Sequence, residues 1–376
     1  MRYKKDALAF LGITKWHEAG YTGKGIKIMS DESVCEKKHS DVISPKGFNS
    51  KSGHGDDVMS HIKLVIPDAE HIAFTFGGTF TKYEYKSECA EYIKENKVHI
   101  FTTSNLGAYP SQGHQKAMQD CIEAGCIFFS ACGNDGEKGV RGESKCDGYW
   151  TIGGVRPKFT GKYDGEDPIY NWNEFHKVRY SSAGPELDFV TLAEILEVAG
   201  TSFCSPVFAG MVGLVQQFFI EKIGRRLTRL EMEVFIKDNL IDVELEGFDE
   251  LTGHGLFVLP EPEMIKISDY VTDMNVGDFI DYSGFPQIGG EDMKAILTID
   301  NHIICINGEE KVYDVAPFIK DDRTFVPVQF LRDMGFDVEW NEATRQVIIS
   351  KWGSDIIWLK FTIVQKNYLI QTELKM

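Results

Sequence analysis

Gly200-Thr201-Ser202-Phe203-Cys204-Ser205-Pro206, continuing into Val207-Phe208-Ala209-Gly210, is the stretch on which the fold turns. A serine sits in a Gly-Thr-Ser turn, and Pro206 falls in what would be the first turn of a helix. Proline is accepted there because the N–H it lacks has no intrahelical carbonyl to meet. The apolar run from Val207 to Phe219 reads as a buried helix. A nucleophilic serine suits this place. Its hydroxyl projects from a rigid turn, and the positive end of the helix dipole favours negative charge developing beside it. Taken alone, the same residues also read as a Ser/Thr-rich helix cap, so the rest of the chain has to decide.

Working outward, short β-branched runs alternate with helical stretches up to about residue 260. Residues 26–30, 72–76, 98–102 and 126–131 read as strands, and 54–66, 84–96, 111–124 and 206–222 as helices. That alternation implies a parallel sheet with helices on both faces. Catalytic groups in such sheets gather at the carboxyl ends of the strands. Residues 261–290, with Pro262 and Pro286, read as a linker after a first domain of 1–260. Residues 291–376 change texture to short strands and turns with a helical piece at 328–334, a small α+β domain.

At 376 residues, the chain is long enough for one large domain and a small one. The net charge of -17 argues against nucleic-acid or anionic-membrane partners, which reward clustered Lys and Arg. No stretch reads as a membrane span, and Met1-Arg2-Tyr3-Lys4-Lys5 lacks the apolar core of a secretion signal. The eight cysteines (35, 89, 121, 126, 132, 146, 204 and 305) lie mostly in apolar segments and form no compact CxxC pair. Free buried thiols in a reducing compartment follow, hence the cytoplasm, with phage association or export without a signal peptide left open.

Three further segments join the serine in chain order. Ser52-Gly53-His54-Gly55-Asp56-Asp57-Val58 sets a histidine between glycines at a predicted helix start. The glycines keep bulky side chains away from the approach of the imidazole to a serine, and Asp56-Asp57 complement the helix dipole. Tyr21-Thr22-Gly23-Lys24-Gly25-Ile26-Lys27-Ile28 leads into a strand ending Met29-Ser30-Asp31-Glu32-Ser33-Val34. Ile26, Ile28, Ser30 and Glu32 share one face of it, whereas Asp31 needs a one-residue slip or bulge to join them. Ile127 to Gly136 is a strand ending in Gly133-Asn134-Asp135-Gly136, by itself a turn signal. A serine nucleophile needs a base, an acid to orient that base, and donors for the oxyanion.

Together these segments resemble the subtilisin-like (subtilase) serine proteases. Residues 52–58 resemble the family's His-Gly-Thr-His-Val motif with His54 as base, and 131–136 its Ala-Gly-Asn-Xaa-Gly with Asn134 as oxyanion donor. Tyr180-Ser181-Ser182-Ala183-Gly184-Pro185-Glu186-Leu187-Asp188 resembles Phe-Ser-Ser-Xaa-Gly-Pro-Xaa-Leu-Asp, and the order acid, histidine, asparagine, serine is that of subtilisin. The resemblance implies a three-layer α/β sandwich over about residues 5–260. It also implies an endopeptidase that acylates Ser202 on a polypeptide substrate. Asn105, Leu106, Gly107 and Gly133 are the expected substrate-binding residues, the first three matching a Ser-Leu-Gly segment that pairs with substrate as an added strand. Gap-free alignment from Gly25, or backwards from His39-Ser40-Asp41-Val42, puts Glu32 at the acid position, while residue type favours Asp31. Both stay open.

The chain departs from the family at the acid and at Asp56-Asp57, and it opens near the family's mature start, from which no folding propeptide is expected. No cofactor is implied and no metal site is placed. The rival reading is a catalytically impaired scaffold with a binding or structural role. The region 291–352 resembles the small domain found at the amino end of copper amine oxidases, for which docking or oligomerisation is the expected role. His302 offers no imidazole cluster for copper.

Overall fold

The computed structural model describes residues 2–74, 82–105, 112–145 and 148–271, and beyond these the strands named at the end of this section. The chain divides into two compact units, Met1–Ile280 and Asp281–Met376. In the first, the order is α1 (Arg2–Phe10), α2 (Ile13–Glu18), β1 (Lys27–Ser30), α3 (Glu36–His39), α4 (His54–Val65) and β2 (Glu70–Ala73). Next come α5 (Lys82–Glu95), β3 (Ile100–Thr103), α6 (Gln112–Glu123) and β4 (Ile127–Ala131). The long strands β5 (Tyr149–Asp164) and β6 (Asp167–Lys177) precede β7 (Phe189–Leu192), α7 (Cys204–Ile223), α8 (Arg229–Lys237), β8 (Leu240–Ile241) and β9 (Leu256–Phe257).

The strands line up as β2-β1-β3-β4-β5-β7-β9-β8. Pairing is parallel from β2 to β9, and only β8 joins antiparallel at the edge. β6 folds back along β5 as an antiparallel hairpin outside this path. The molecule is therefore the expected α/β class with a mostly parallel sheet. Successive residues of a strand point to opposite faces, and the two cores show it. Ile28, Ile100 and Phe129 lie in a core with Val58, Ile62 and Phe208 of α4 and α7. Their neighbours Met29, Phe101 and Phe128 lie in a second core with Cys89, Ile93 and Met118 of α5 and α6.

The first core decides where the site forms. α7 is buried over nearly its whole length, and it lies close against α4. A Cβ on Gly210 would stand 2.8 Å from the Cβ of Val65, so any larger residue would force the two helices apart. The span Thr201–Ile223 is long and apolar enough to cross a membrane, which corrects the expectation that no stretch reaches that length. With 94% of its apolar window buried inside the fold, it is the core helix of this sandwich. Cys89, Cys121, Cys126, Cys132 and Cys204 are buried free thiols and Cys35 is half-buried and free.

The first unit runs to Ile280, inside the linker or boundary expected at 261–290. Pro262 is buried, and Ile265, Ile267, Tyr270 and Val271 pack against the first core, with Tyr270 4.8 Å from the Phe235 ring. The prolines suggested a linker, but the apolar residues among them still have a core to cover. In the second unit the described elements are strands: β10 (Ala295–Thr298), β11 (Ile303–Ile306), β12 (Glu309–Val312), β13 (Phe318–Lys320), β14 (Arg323–Phe325), β15 (Asp337–Asn341), β16 (Gln346–Ser350), β17 (Trp358–Gln365) and β18 (Tyr368–Lys375). Five form a sheet in the order β12-β11-β10-β17-β18, parallel only between β10 and β17. The helix expected at 328–334 lies outside the described residues.

Candidate active site

The carboxyl ends of β1, β3 and β4 converge on the amino ends of α4 and α7. At the end of β1 the chain continues through Asp31 and Glu32, both buried. Glu32 keeps the parity of Ile28 and Ser30 and so lies on the side of the sheet that carries α4 and α7. Its Oε2 is 3.1 Å from Nδ1 of His54, the first residue of α4. This hydrogen bond raises the His54 pKa above its ordinary 6.5, against the opposing effect of burial, because a carboxylate favours the imidazolium. Nearly half of the His54 side chain stays open, while that of Glu32 is 6% exposed. Asp31 is placed otherwise. Its backbone carbonyl accepts a hydrogen bond from Asn105 Nδ2 at 2.6 Å.

Glu32 is held by the residues that follow it. A Cβ on Gly55 would stand 1.7 Å from the Ser33 carbonyl oxygen, so only glycine lets α4 begin this close to the chain. Gly53, by contrast, has open space around its Cβ position. Ser52 Oγ donates to the same Ser33 oxygen at 2.6 Å. Asp56, 1% exposed, accepts the backbone N–H of Cys35 at 2.7 Å and pairs with Lys38 at 3.2 Å. Its part is thus more than complementing the helix dipole. It anchors the chain just past the acid. Sequence reasoning missed this, since only the clustering of two acids at a helix start pointed to it.

On the other side of the site, Ser202 sits in a 3-10 turn, Thr201–Phe203, directly before α7 and 8% exposed. Ser104, just past β3, donates through Oγ to the Ser202 carbonyl at 2.8 Å, and Thr102 Oγ1 lies 2.8 Å from Ser205 Oγ. Thr201 gives both its N–H (2.9 Å) and its hydroxyl (3.1 Å) to Asn134 Oδ1. The Asn134 amide is thereby fixed at its oxygen end, and its Nδ2 lies beside Gly200, 3.7 Å from where a Cβ would stand. Asn134 itself is exposed. Gly133 donates its N–H to Thr201 Oγ1 at 3.2 Å and accepts the Ser182 N–H at 3.0 Å, so both of its peptide groups are engaged within the protein. Leu106 and Gly107 lie outside the described residues.

The two sides meet at Phe203, whose ring lies 5.6 Å from that of His54. Cys204, two residues beyond Ser202, does not compete as a nucleophile. Complete burial raises its thiol pKa well above the ordinary value. Among the described residues no cluster of His, Cys, Asp and Glu is arranged to hold a metal ion. What the arrangement offers is a hydroxyl on a helix-initiating turn, an imidazole oriented by a buried carboxylate, and an amide N–H pinned at the mouth of the site.

Comparison with known proteins adds to this geometry. The chain is 23% identical to the major intracellular serine protease of Bacillus subtilis over 282 residues, 65% of this chain and 84% of that protein. It is 22% identical to an intracellular serine protease of Paenibacillus polymyxa over 281 residues, 65% of this chain and 82% of that one. Among solved structures, the prenylagaramide maturation protease PagA superposes with a TM-score of 0.52 at 15% identity, covering 69% of this chain and 99% of that chain. At that identity the match is one of fold. In the second unit, residues 287–349 match the copper amine oxidase N-terminal domain family. His302 is the sole histidine in that span, so its residues do not fit a copper site built on imidazoles. The chain is thus similar in sequence to two serine proteases and in fold to a maturation protease, and its residues 287–349 are similar to the copper amine oxidase N-terminal domain.

Proposed function

We propose that this protein is a subtilisin-like serine endopeptidase. The observation that carries the reading is the 3.1 Å contact between a buried Glu32 and Nδ1 of His54, at the same carboxyl end of the sheet as the Ser202 turn. Glu32 accepts the Nδ1 proton, so Nε2 is left as the base. Ser202 attacks the scissile carbonyl as His54 takes its proton, and His54 returns that proton to the leaving amine. Asn134 Nδ2 and the Ser202 N–H bind the oxyanion, donors that do not need to reorganise as charge develops. Water then releases the acyl group. Glu32, not Asp31, is the orienting acid, and the main-chain carbonyl of Asp31 receives Asn105. Asn105, Leu106 and Gly107 would offer backbone to an extended substrate. Gly133, with both peptide groups engaged, would contribute wall and no hydrogen bonds.

The two curated relatives are named intracellular serine proteases, and the free buried thiols suit the same compartment. We place this enzyme there too, acting on polypeptides, with the second unit serving in docking or oligomerisation. The test is labelling of the folded protein with a fluorophosphonate probe and mass mapping of the adduct. The adduct is expected on Ser202 and absent in His54→Ala. Failure to label, with an active subtilase labelled alongside, would overturn the reading and leave a binding role on the same scaffold.

A further inference from the structure

His61 is a buried imidazole that this chemistry leaves unused. It stands seven residues after His54 on α4, two helical turns along, so both histidines lie on one face of the helix. It is 1% exposed. Its Nδ1 lies 2.6 Å from the Asp57 carbonyl oxygen one turn back, so Nδ1 carries the proton and donates it. Nε2 is buried and has no hydrogen-bond partner among the described residues. A histidine kept only for its hydrogen bonds would not leave half of them unmade, because a buried unsatisfied acceptor destabilises the fold. The ring has another contact. It stacks on Phe203 with centroids 4.8 Å apart and planes at 21°.

Phe203 follows Ser202 directly and is 5% exposed. Its ring is the one that also meets His54, at 5.6 Å and 45°. A single phenyl group therefore borders the base, belongs to the turn that carries the nucleophile, and is backed by a second imidazole. Burial lowers the His61 pKa below its ordinary value, with Lys4 of α1 acting in the same direction and Asp57 of its own helix opposing. The ring facing Phe203 at neutral pH is thus uncharged. An uncharged flat ring packs in offset stacking on a phenyl face without bringing a cation beside His54.

We propose that His61 is a positioning residue, whose stacked ring fixes Phe203 against His54 and through it the placement of Ser202 relative to its base. The inference rests on the serine-protease reading above. Without the backing ring, Phe203 gains rotamers and the Ser202 turn loosens against α4. A misplacement of about 1 Å costs on the order of 10² in rate.

The test compares His61→Leu, which removes the ring, with His61→Phe, which keeps it and removes the nitrogens. Each is measured as kcat and KM per folded molecule and as the rate of fluorophosphonate labelling at Ser202. His61→Leu is expected to lose about 10- to 100-fold in kcat and in labelling rate with little change in KM. His61→Phe is expected to restore both to within about twofold, which a loss of stability alone would not produce. If His61→Leu does not fold, His61→Gln, polar and without a ring, takes its place with the same expectation. Wild-type labelling with an unaltered rate in the ringless variant overturns the inference and spares the enzyme reading. So does an equal loss in the Leu and Phe variants. Absence of labelling in the wild type overturns the enzyme reading, and this inference with it.

Discussion

The serine half and the histidine half of the candidate site are built on different principles. The serine turn is tied internally by short bonds: Thr201 to Asn134, Gly133 to Thr201, Ser104 to the Ser202 carbonyl. All of it caps one buried helix. The histidine half is open on one side. His54 takes its orientation from Glu32, and Glu32 depends on a chain segment that α4 itself grips at Ser33 and Cys35. The expected likeness to subtilisin-like proteases is closer at Gly200–Pro206 than around Glu32 and Asp56-Asp57. The departures form one physical group. Glu32, just past β1, meets His54, and Asp56 of α4 holds the Cys35 N–H, so both bear on the segment between β1 and α3.

The comparison is broken most sharply at the acid. Glu32→Gln leaves a side chain of the same size that no longer stabilises the imidazolium, and kcat/KM on a peptide substrate is expected to fall by about 10³–10⁴. Asp31→Asn should cost less than about tenfold, and the reverse ranking would hand the role to Asp31. The same pair sets the pH profile. Glu32 raises the His54 pKa above 6.5, and His54 works as a base only when neutral. Wild-type kcat/KM should therefore fall with acid through a midpoint above that value, and in Glu32→Gln what activity remains should show a lower midpoint. On the serine side, Asn134→Ala is expected to lower kcat by about 10²–10³ with a smaller change in KM. Thr201→Val, which keeps the N–H to Oδ1 and removes the hydroxyl, should lose about tenfold. If Thr201→Val were as damaging as Asn134→Ala, pinning the amide would matter as much as the amide itself.

Much of this was legible in the sequence because it is written in local patterns. Alternating strands and helices gave the parallel sheet. The apolar run after Pro206 marked the buried helix, and strand parity from Ile26 to Glu32 put Glu32 on the face where it meets His54. What stayed hidden depends on partners distant in the chain. Gly55 reads as room for an imidazole, whereas its neighbour is the Ser33 carbonyl. Asp56 reads as a complement to the helix dipole, yet it is buried and accepts the Cys35 N–H. His61 sits at a visible spacing of seven from His54, but nothing local says that Phe203 lies against both. Residues 261–271 carry linker-like prolines, and only the finished core shows that Tyr270 still has Phe235 to cover.

The smallest effect sharpens the comparison furthest, because it separates the two things Asp56 does. Asp56→Ala removes the acceptor of the Cys35 N–H, and an unsatisfied buried donor costs about 1–3 kcal/mol. For a unit of this size the melting midpoint should drop by roughly 2–4 °C for each kcal/mol. Asp56→Asn keeps an acceptor for that N–H and gives up the charge that faces Lys38 at 3.2 Å and His39 at 3.8 Å. The Lys38 side chain is 57% exposed while that of Asp56 is 1% exposed, so solvent screens the lysine end and losing the pair is expected to cost about 1 kcal/mol. Thermal melts should therefore rank wild type and Asp56→Asn close together, with Asp56→Ala below both. Activity below the melting range should follow the same order if the grip on residues 33–35 is what seats Glu32. Equal melts with unequal activity would locate the Asp56 effect in the electrostatics of His54. Equal loss of stability in both variants would make the buried charge, and not the Cys35 bond, the anchor of the histidine half.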